Sequence, residues 1–260
     1  MAKTFCIANQ KGGVGKTTTA VNLAAGLVAQ KQRVLLIDLD PQGNATMGSG
    51  VDKANLENSV YQVLIGMATA AQTVLYAPTA GYSVMPANRD LAGAEVELVD
   101  LENREMRLKL ALAEIEDQFD FILIDCPPAL SLLTLNGLCA ADGVVVPMQC
   151  EYFALEGLGK LLNTVKSVQK IHNKDLDIEG LLLTMFDSRL RLSNQVVDEV
   201  QKHFSTMVFD TIIRRNTRLG EAPSYGESII AYDATSKGAV NYLNLANELL
   251  KKNQQYGKSH

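Results

Sequence analysis

The feature that most constrains this chain is a glycine-rich loop between an apolar run and a helical pattern near its start. Residues 4–9 predict a strand, and residues 16 to about 30 place apolar side chains at helical spacing. Between them stands the segment Lys11-Gly12-Gly13-Val14-Gly15-Lys16-Thr17-Thr18. A strand that enters such a turn and leaves as a helix is typical of the start of a βαβ unit. We therefore expect a parallel sheet covered by helices.

The same alternation continues along the chain. Continuous apolar runs such as residues 34–37 and 121–124 indicate strands buried on both faces, as in parallel sheets. The predicted fold class is α/β, a doubly wound and mostly parallel sheet flanked by helices, in one domain over residues 1–260. The predicted strands are residues 4–9, 33–38, 82–85, 121–125, 143–147, 178–185 and 208–213. The predicted helices are residues 16–30, 103–116, 156–173 and 236–252, with a small helical insertion plus loop at 47–81.

The glycine-rich loop has the residues of a phosphate cradle. Glycines let backbone N–H groups face phosphate oxygens without a Cβ clash, and the helix that follows adds positive potential. Lys16 would reach the β- and γ-phosphates, and the Thr17 hydroxyl would ligate Mg²⁺. The alternative is a glycine-rich turn that binds nothing. The candidate nucleotide-binding residues here are Lys11, Gly12, Gly13, Val14, Gly15, Lys16, Thr17 and Thr18.

The register of this loop departs from the ordinary Walker A pattern. Aligning G-x-x-x-x-G-K-[ST] on Gly15-Lys16-Thr17 puts the first glycine of the pattern at Gln10. The segment reads K-G-G-V-G-K-T instead, the deviant Walker A form, with a second lysine at Lys11. A solvated lysine beside the loop is the alternative interpretation of Lys11.

Acidic residues follow two of the predicted strands. Asp38 ends the second strand, Asp40 lies two residues later, and Asp125 closes the run at residues 121–124. The carboxyl edge of a parallel sheet is where ligands of α/β proteins bind, so these acids should lie beside the loop. Asp125 would hold Mg²⁺ as a Walker B acid, directly or through water. Asp40 could instead only begin an Asp-Pro turn, and Asp38 could cap its strand.

Two later loops supply base contacts and positive charge. By topology, Met185 and the pair Arg215-Asn216 are the candidate purine contacts. Arginine recognises phosphate through a bidentate fork, so the arginines near these loops are candidates for DNA binding. The alternative is surface ion pairs with Asp187, Asp210 and Glu221. The arginines concerned are Arg189, Arg191, Arg214, Arg215 and Arg218.

The composition and charge of the chain bear on nucleic-acid binding, membrane association and the state of the cysteines. The net charge of -5 argues against nucleic-acid binding over the whole protein surface, but it is compatible with a local basic patch. No apolar run reaches the ~18–20 residues of a membrane span, and no signal peptide is expected. Four cysteines without CxxC spacing predict buried, reduced thiols in a cytosolic protein. The polar end at residues 251–260 argues against a membrane anchor.

Several motifs together resemble the ParA/Soj family of partition ATPases, which have a deviant Walker A loop. They are K-G-G-V-G-K-T-T-T-A-V-N-L, D-L-D-P-Q-G-N-A-T, I-D-C-P-P, L-A-G-A-E-V-E-L, P-M-Q-C-E-Y-F-A-L-E-G-L and R-N-T-R-L-G-E-A-P-S. The resemblance covers nearly the whole chain. It departs from the family at Arg214, where the family has proline.

This resemblance implies a specific function. Its cofactors would be ATP and Mg²⁺, with Thr17, Asp40 and Asp125 at the metal. Asp40 would orient the attacking water, and Lys11 would cross a dimer interface to the partner's nucleotide, so that ATP binding forms a homodimer. Arg189 and Arg218 correspond to family positions that bind double-stranded DNA non-specifically. A ParB-like partner would stimulate slow hydrolysis by Lys11, Lys16, Asp40 and Asp125, and the protein would be cytoplasmic and nucleoid-associated.

Three other functions share features with this sequence. A membrane-surface relative resembling MinD, or another cargo-positioning ATPase, would share the loop, but the polar end disfavours the membrane form. An electron-transfer protein of the nitrogenase iron-protein kind needs cluster cysteines, and Cys126 and Cys139 are not convincingly placed. A nucleotide-binding scaffold without hydrolysis could dispense with Asp40, so the presence of Asp40 counts against this function.

Overall fold

A computed structural model describes residues 1–151 and 154–256. Part of the motif at residues 147–158 and the last four residues of the polar end, 257–260, therefore lie outside the described residues. Within the described part of the chain, no helix has the length and apolarity needed to cross a membrane.

Seven strands in the described residues form one sheet in the order β3-β4-β2-β5-β1-β6-β7. All neighbouring strands are parallel except β3, which pairs antiparallel with β4 at the edge. The strands are β1 (Lys3–Ile7), β2 (Val34–Asp38), β3 (Leu75–Ala77), β4 (Tyr82–Met85), β5 (Phe121–Asp125), β6 (Gly143–Gln149) and β7 (Asp177–Thr184). The predicted fold class, a doubly wound and mostly parallel sheet flanked by helices, is confirmed.

Helices cover both faces of this sheet. The first six are α1 (Lys16–Ala29), α2 (Asn44–Gly48), α3 (Val60–Ile65), α4 (Ala70–Thr73), α5 (Leu91–Glu97) and α6 (Arg107–Leu112). The next six are α7 (Leu132–Ala140), α8 (Ala154–Ile171), α9 (Arg191–Phe204), α10 (Arg218–Glu221), α11 (Ile229–Tyr232) and α12 (Lys237–Tyr256).

The apolar runs divide between two cores because successive strand side chains point to opposite faces. In β2, Leu35 and Ile37 join the core that includes α3, α5, α6 and α7. Val34 and Leu36 join the other core, under α1 and α12. Every residue of β2 and β5 is buried, as continuous apolar runs predict for central strands.

The strand order places the functional edge of the sheet. β5 lies between β1 and β2, and the register pairs Asp125 with both Ile7 and Asp38. The glycine-rich loop leaves β1 just beyond Ile7. The strand-end acids are therefore brought beside the loop by sheet pairing, although Asp38 and Asp125 are 87 positions apart in sequence.

The prediction of a strand at residues 208–213 is wrong. Only isolated parallel bridges join this segment to the sheet, Leu181 with Val208 and Phe186 with Arg214. Between them, the backbone amides of Asp210 and Thr211 donate to the Glu248 carboxylate at 2.6 and 2.9 Å. Because a helix side chain binds these amides, the segment cannot complete a regular ladder with β7.

Two other expectations need correction. The helix predicted at residues 103–116 is reduced to α6, Arg107–Leu112, with turns before it and a 3₁₀ turn at Glu116–Gln118. The insertion at residues 47–81 contains short helices as predicted, but it also contributes strand β3. Only three residues form β3, too few for an alternating pattern to be recognised in the sequence.

Candidate nucleotide site and adjoining basic loops

The glycine-rich loop turns sharply between β1 and α1. Gly13 and Gly15 have φ values of 74° and 89°, in the left-handed region that L side chains rarely adopt. Lys16 then begins α1, where Thr19 donates its amide to the Gly15 carbonyl at 2.9 Å. The loop therefore ends at a helix N-terminus, which favours bound anions.

Lys16 lies under this loop with only 8 % of its surface exposed. Its ammonium donates to the Lys11 carbonyl at 3.2 Å. Burial lowers the pKa of Lys16. The charge of Asp125, and to a smaller extent that of Asp40, acts in the opposite direction. A buried cation surrounded by carboxylates is placed to meet a polyanion such as a triphosphate.

Asp125 is fully buried at the end of β5, and neither carboxylate oxygen has a hydrogen-bond partner among the described residues. Burial, followed by the neighbouring Asp38, raises the pKa of Asp125 well above its usual range. Thr17 lies close enough to lower that pKa, although it donates no hydrogen bond to either oxygen. An unpaired buried carboxylate beside a threonine hydroxyl fits a hard cation such as Mg²⁺, directly or through water.

Asp38 is also buried, but its carboxylate is hydrogen-bonded. Its carboxylate accepts hydrogen bonds from the Thr46 amide at 2.8 Å, the Thr46 hydroxyl at 2.7 Å and the Asp40 amide at 3.1 Å. Burial raises the pKa of Asp38 to about 6, against the effect of these donors. Asp38 thus caps its strand and holds the loop that carries Asp40.

Asp40 takes part in the turn that the Asp-Pro alternative predicts. One of its carboxylate oxygens accepts the Gln42 amide at 2.9 Å, and its carbonyl accepts the Gly43 amide at 2.8 Å. Asp40 also lies near enough to Lys16 to influence its pKa. The turn holds Asp40 at the site, so the two interpretations are compatible.

Lys11 forms an ion pair within the chain. Its ammonium donates to the Glu151 carboxylate at 2.8 Å, with both side chains partly exposed. The Asn9 side chain accepts the Lys11 amide at 3.0 Å and donates to the Pro147 carbonyl at 2.8 Å. Sequence reasoning missed Asn9 and Glu151, because only the pairing of β1 with β6 brings them together.

A cavity of about 240 Å³ opens beside the loop. It brings together the predicted base contacts Met185, Arg215 and Asn216 with Gly15 and Thr18. Met185 adopts a φ of 53°, an unusual conformation for a residue other than glycine, so backbone strain occurs at this wall. Thr184 and Tyr242 also line the cavity and were missed, since neither belongs to a recognisable motif.

The arginines predicted to bind DNA are exposed, and two of them are paired with acids. Arg189 donates to both oxygens of Asp187 at 2.9 and 2.7 Å, and this holds the pKa of Asp187 at about 2. Arg218 donates to Glu221 at 3.0 Å. The ion-pair alternative is therefore partly realised.

A second cavity of about 550 Å³ adjoins the base cavity, with which it shares Arg214 and Arg215. It is lined by Arg189, Arg214, Arg215 and Lys237, with Asp187 as its acid. Lys237, at the start of α12, was missed because it is 48 residues from Arg189 in sequence.

All four cysteines are buried as free thiols, Cys6, Cys126, Cys139 and Cys150. The Sγ atoms of Cys6 and Cys126 lie 3.0 Å apart, and this contact, followed by burial, raises the pKa of Cys126 well above its usual range.

A mostly parallel sheet whose first strand enters a deviant glycine-rich loop, with a buried lysine and strand-end acids beside it, defines a P-loop nucleoside triphosphatase. Comparison with known proteins identifies the branch. A family described as AAA domain matches residues 2–178. Together with the similarities below, this shows that the chain belongs to the ParA/Soj family of P-loop ATPases.

Several known proteins are similar over nearly the full chain, among them two relatives and one solved structure. The sporulation initiation inhibitor protein Soj of Bacillus subtilis is 55 % identical over 249 residues, 96 % of this chain and 98 % of that protein. The chromosome partitioning protein ParA of Myxococcus xanthus is 51 % identical over 253 residues, 97 % and 89 % of the two chains. The crystal structure of cobyrinic acid a,c-diamide synthase from Mycobacterium smegmatis, with bound ADP and magnesium, is 42 % identical with a TM-score of 0.85. That alignment covers 96 % of this chain and 95 % of the other.

Proposed function

We propose that this protein is a ParA-type ATPase that segregates chromosomal DNA. ATP binding forms a homodimer that binds double-stranded DNA non-specifically, and hydrolysis, slow by itself, releases it. The observation that carries the proposal is the second lysine, Lys11, at the mouth of a complete phosphate site. Chromosomal cargo is favoured over a plasmid because one of the relatives with more than half of its residues identical, from Myxococcus xanthus, is named a chromosome partitioning protein.

The residues at the loop divide the work of hydrolysis. Phosphoryl transfer depends mainly on positioning and charge stabilisation, so a strong base is not required. Lys16 neutralises the phosphates, the loop amides from residue 12 to residue 18 cradle them, and Asp40 orients the attacking water. Thr17, Asp125 and Asp40 would hold Mg²⁺, which neutralises charge on the phosphate oxygens when it is bound. Met185, Arg215 and Asn216 contact the base.

Lys11 is the residue that would contact the nucleotide bound by a second copy of the chain. Its ion pair with Glu151 is exposed, and such pairs contribute only about 0–1 kcal/mol. The ammonium can therefore leave Glu151 for the phosphates of a partner's nucleotide at small cost. Dimerisation then places two copies of the basic loops on one assembly, which strengthens binding to a polyanion by charge count alone.

Arg189, Arg214, Arg215 and Arg218 contact the DNA backbone, a ParB-like centromere-binding protein stimulates hydrolysis, and the protein acts on the nucleoid in the cytoplasm without a membrane partner. A single domain over residues 1–260 carries all of these activities.

The deciding experiment measures duplex DNA binding and molecular mass together. Fluorescence anisotropy with two unrelated duplexes is recorded with ATP, ADP and no nucleotide at two salt concentrations, and light scattering gives the mass. We expect a dimer and salt-sensitive binding of both duplexes with ATP alone, and neither for Lys11→Ala, which still binds nucleotide. DNA binding that ignores the nucleotide, or a Lys11→Ala protein that dimerises normally, contradicts the proposal.

A further inference from the structure

The last residue of β7 reaches across to the phosphate loop. Thr184 is 2 % exposed, and its hydroxyl donates to the backbone carbonyl of Val14 at 2.9 Å. The two residues are 170 positions apart in sequence. This bond is therefore a tertiary tie between the far strand of the sheet and the centre of the loop.

The Val14 carbonyl needs such a donor. Val14 is 1 % exposed and stands between Gly13 and Gly15, the two loop residues with positive φ. When successive backbone amides face an anion, the intervening carbonyl oxygens must find donors inside the protein. A buried carbonyl that loses its partner is costly, and the peptide could then rotate to find another.

Thr184 also forms part of the base cavity. Its methyl group lies 3.9 Å from the position that a Cβ on Gly15 would occupy. The next residue is the strained Met185, and Phe186 then exchanges backbone hydrogen bonds with the loop at residues 213–215 at 3.1 and 3.0 Å. One short stretch thus joins the loop that holds phosphates to the wall that faces the base.

We propose that Thr184 is a positioning residue for the nucleotide: its hydroxyl holds the Val14 peptide in the orientation that presents the loop amides to the phosphates. The residue thereby couples the base cavity to the phosphate loop. This role rests on the proposed ATP binding, and it requires no contact between Thr184 and the reacting atoms.

The test removes the hydroxyl while keeping the shape of the side chain. Affinities for ADP and for pyrophosphate, each with Mg²⁺, are measured by competition with a fluorescent adenine nucleotide. We expect Thr184→Val to weaken both by about tenfold, since a buried carbonyl loses its donor. Thr184→Ser, which keeps the donor, should bind both ligands like the unmodified chain.

A matched control separates this role from stability. Thr73 is 1 % exposed and donates to the Thr69 carbonyl at 2.9 Å, and neither residue lines the base cavity, so Thr73→Val should leave both affinities unchanged. If Thr184→Val does not fold, Thr184→Ala removes the same donor without the added methyl. Equal affinities for Thr184→Val and the unmodified chain overturn this inference alone. Failure of the unmodified chain to bind either ligand overturns it together with the proposed function.

Discussion

At the scale of single residues, the site contains buried charged side chains. Their burial lowers the stability of the fold unless a ligand compensates for it. Asp125 is buried without a hydrogen-bond partner among the described residues, next to a second buried acid, Asp38. Lys16 is the nearby cation, and burial lowers its pKa. Such arrangements are typical of functional sites, where charge is kept ready for a ligand at the expense of stability.

Asp125→Asn should therefore stabilise the nucleotide-free protein while impairing its chemistry. The change removes a buried charge and its repulsion with Asp38, and we expect the melting temperature at pH 7 to rise by about 2–4 °C. The magnesium dependence of nucleotide affinity should be lost. Calorimetry and titrations with and without Mg²⁺ measure the two effects, with the exposed Asp175→Asn as the control for charge.

The pH dependence of this stabilisation has a definite sign. The folded protein holds protons on this acid pair more tightly than the unfolded chain does. The pKa of Asp38 is raised to about 6, and burial, followed by the charge of Asp38, raises the pKa of Asp125 well above its usual range. Lowering the pH from 7 towards 5 therefore favours the folded state of the unmodified chain. The advantage of Asp125→Asn should shrink over that range; a constant or growing difference would show that burial of charge is not its cause.

At the scale of elements, the segment after α9 shows how a helix can override a strand pattern. Residues 208–213 have the apolar composition of a strand, yet Glu248 on α12 accepts two of their amides. The Asn241 side chain accepts a third, from Arg214, at 3.1 Å. Through these bonds α12 sets the path of the loop that carries Arg215 and Asn216 into the base cavity.

Glu248→Ala should loosen this segment. Two amides lose their acceptor, and we expect the free energy of unfolding to fall by about 1–3 kcal/mol in urea denaturation. Hydrogen exchange at residues 210 and 211 should accelerate at the same time. Glu114→Ala, at an exposed position, should change stability by less than about 0.5 kcal/mol. Unchanged exchange at residues 210 and 211 would mean that the Glu248 bonds do not hold the segment.

At the scale of the whole molecule, a chain with a net charge of -5 has a positive region at one place. Arg189, Arg214, Arg215 and Lys237 surround one cavity, and their only acidic neighbour in its lining is Asp187. Asp187 accepts two hydrogen bonds from Arg189 in a bidentate ion pair, so in the proposed complex a DNA phosphate would compete with this carboxylate for the guanidinium.

Asp187→Asn should therefore raise the affinity for DNA in the presence of ATP. Exposed ion pairs contribute about 0.2–1 kcal/mol, which corresponds to roughly 1.5- to 5-fold tighter binding at low salt. Asp175→Asn, the same charge change before the other end of β7, should have a smaller effect. Weaker binding by Asp187→Asn in the anisotropy assay would show that the carboxylate instead orients Arg189 for DNA.

The sequence determined the local parts of this protein. The pattern of apolar runs predicted the parallel sheet, because strands buried on both faces need continuous apolar residues, and β5 begins and ends where the sequence predicts. The loop from Lys11 to Thr18 and the strand-end acids were recognisable because their spacing is set within one strand, turn and helix.

Only the tertiary structure decided what those parts touch. Pairing of β1 with β6 brings Glu151 to Lys11, and pairing of β6 with β7 extends the sheet to Thr184, which holds Val14. Glu248 on α12 accepts hydrogen bonds from the amides of Asp210 and Thr211, and this holds residues 208–213 as a loop although their composition predicts a strand. These contacts join residues more than 30 positions apart, and each partner alone is a common residue in an ordinary local setting. Such contacts depend on which strands become neighbours, and no local pattern records that.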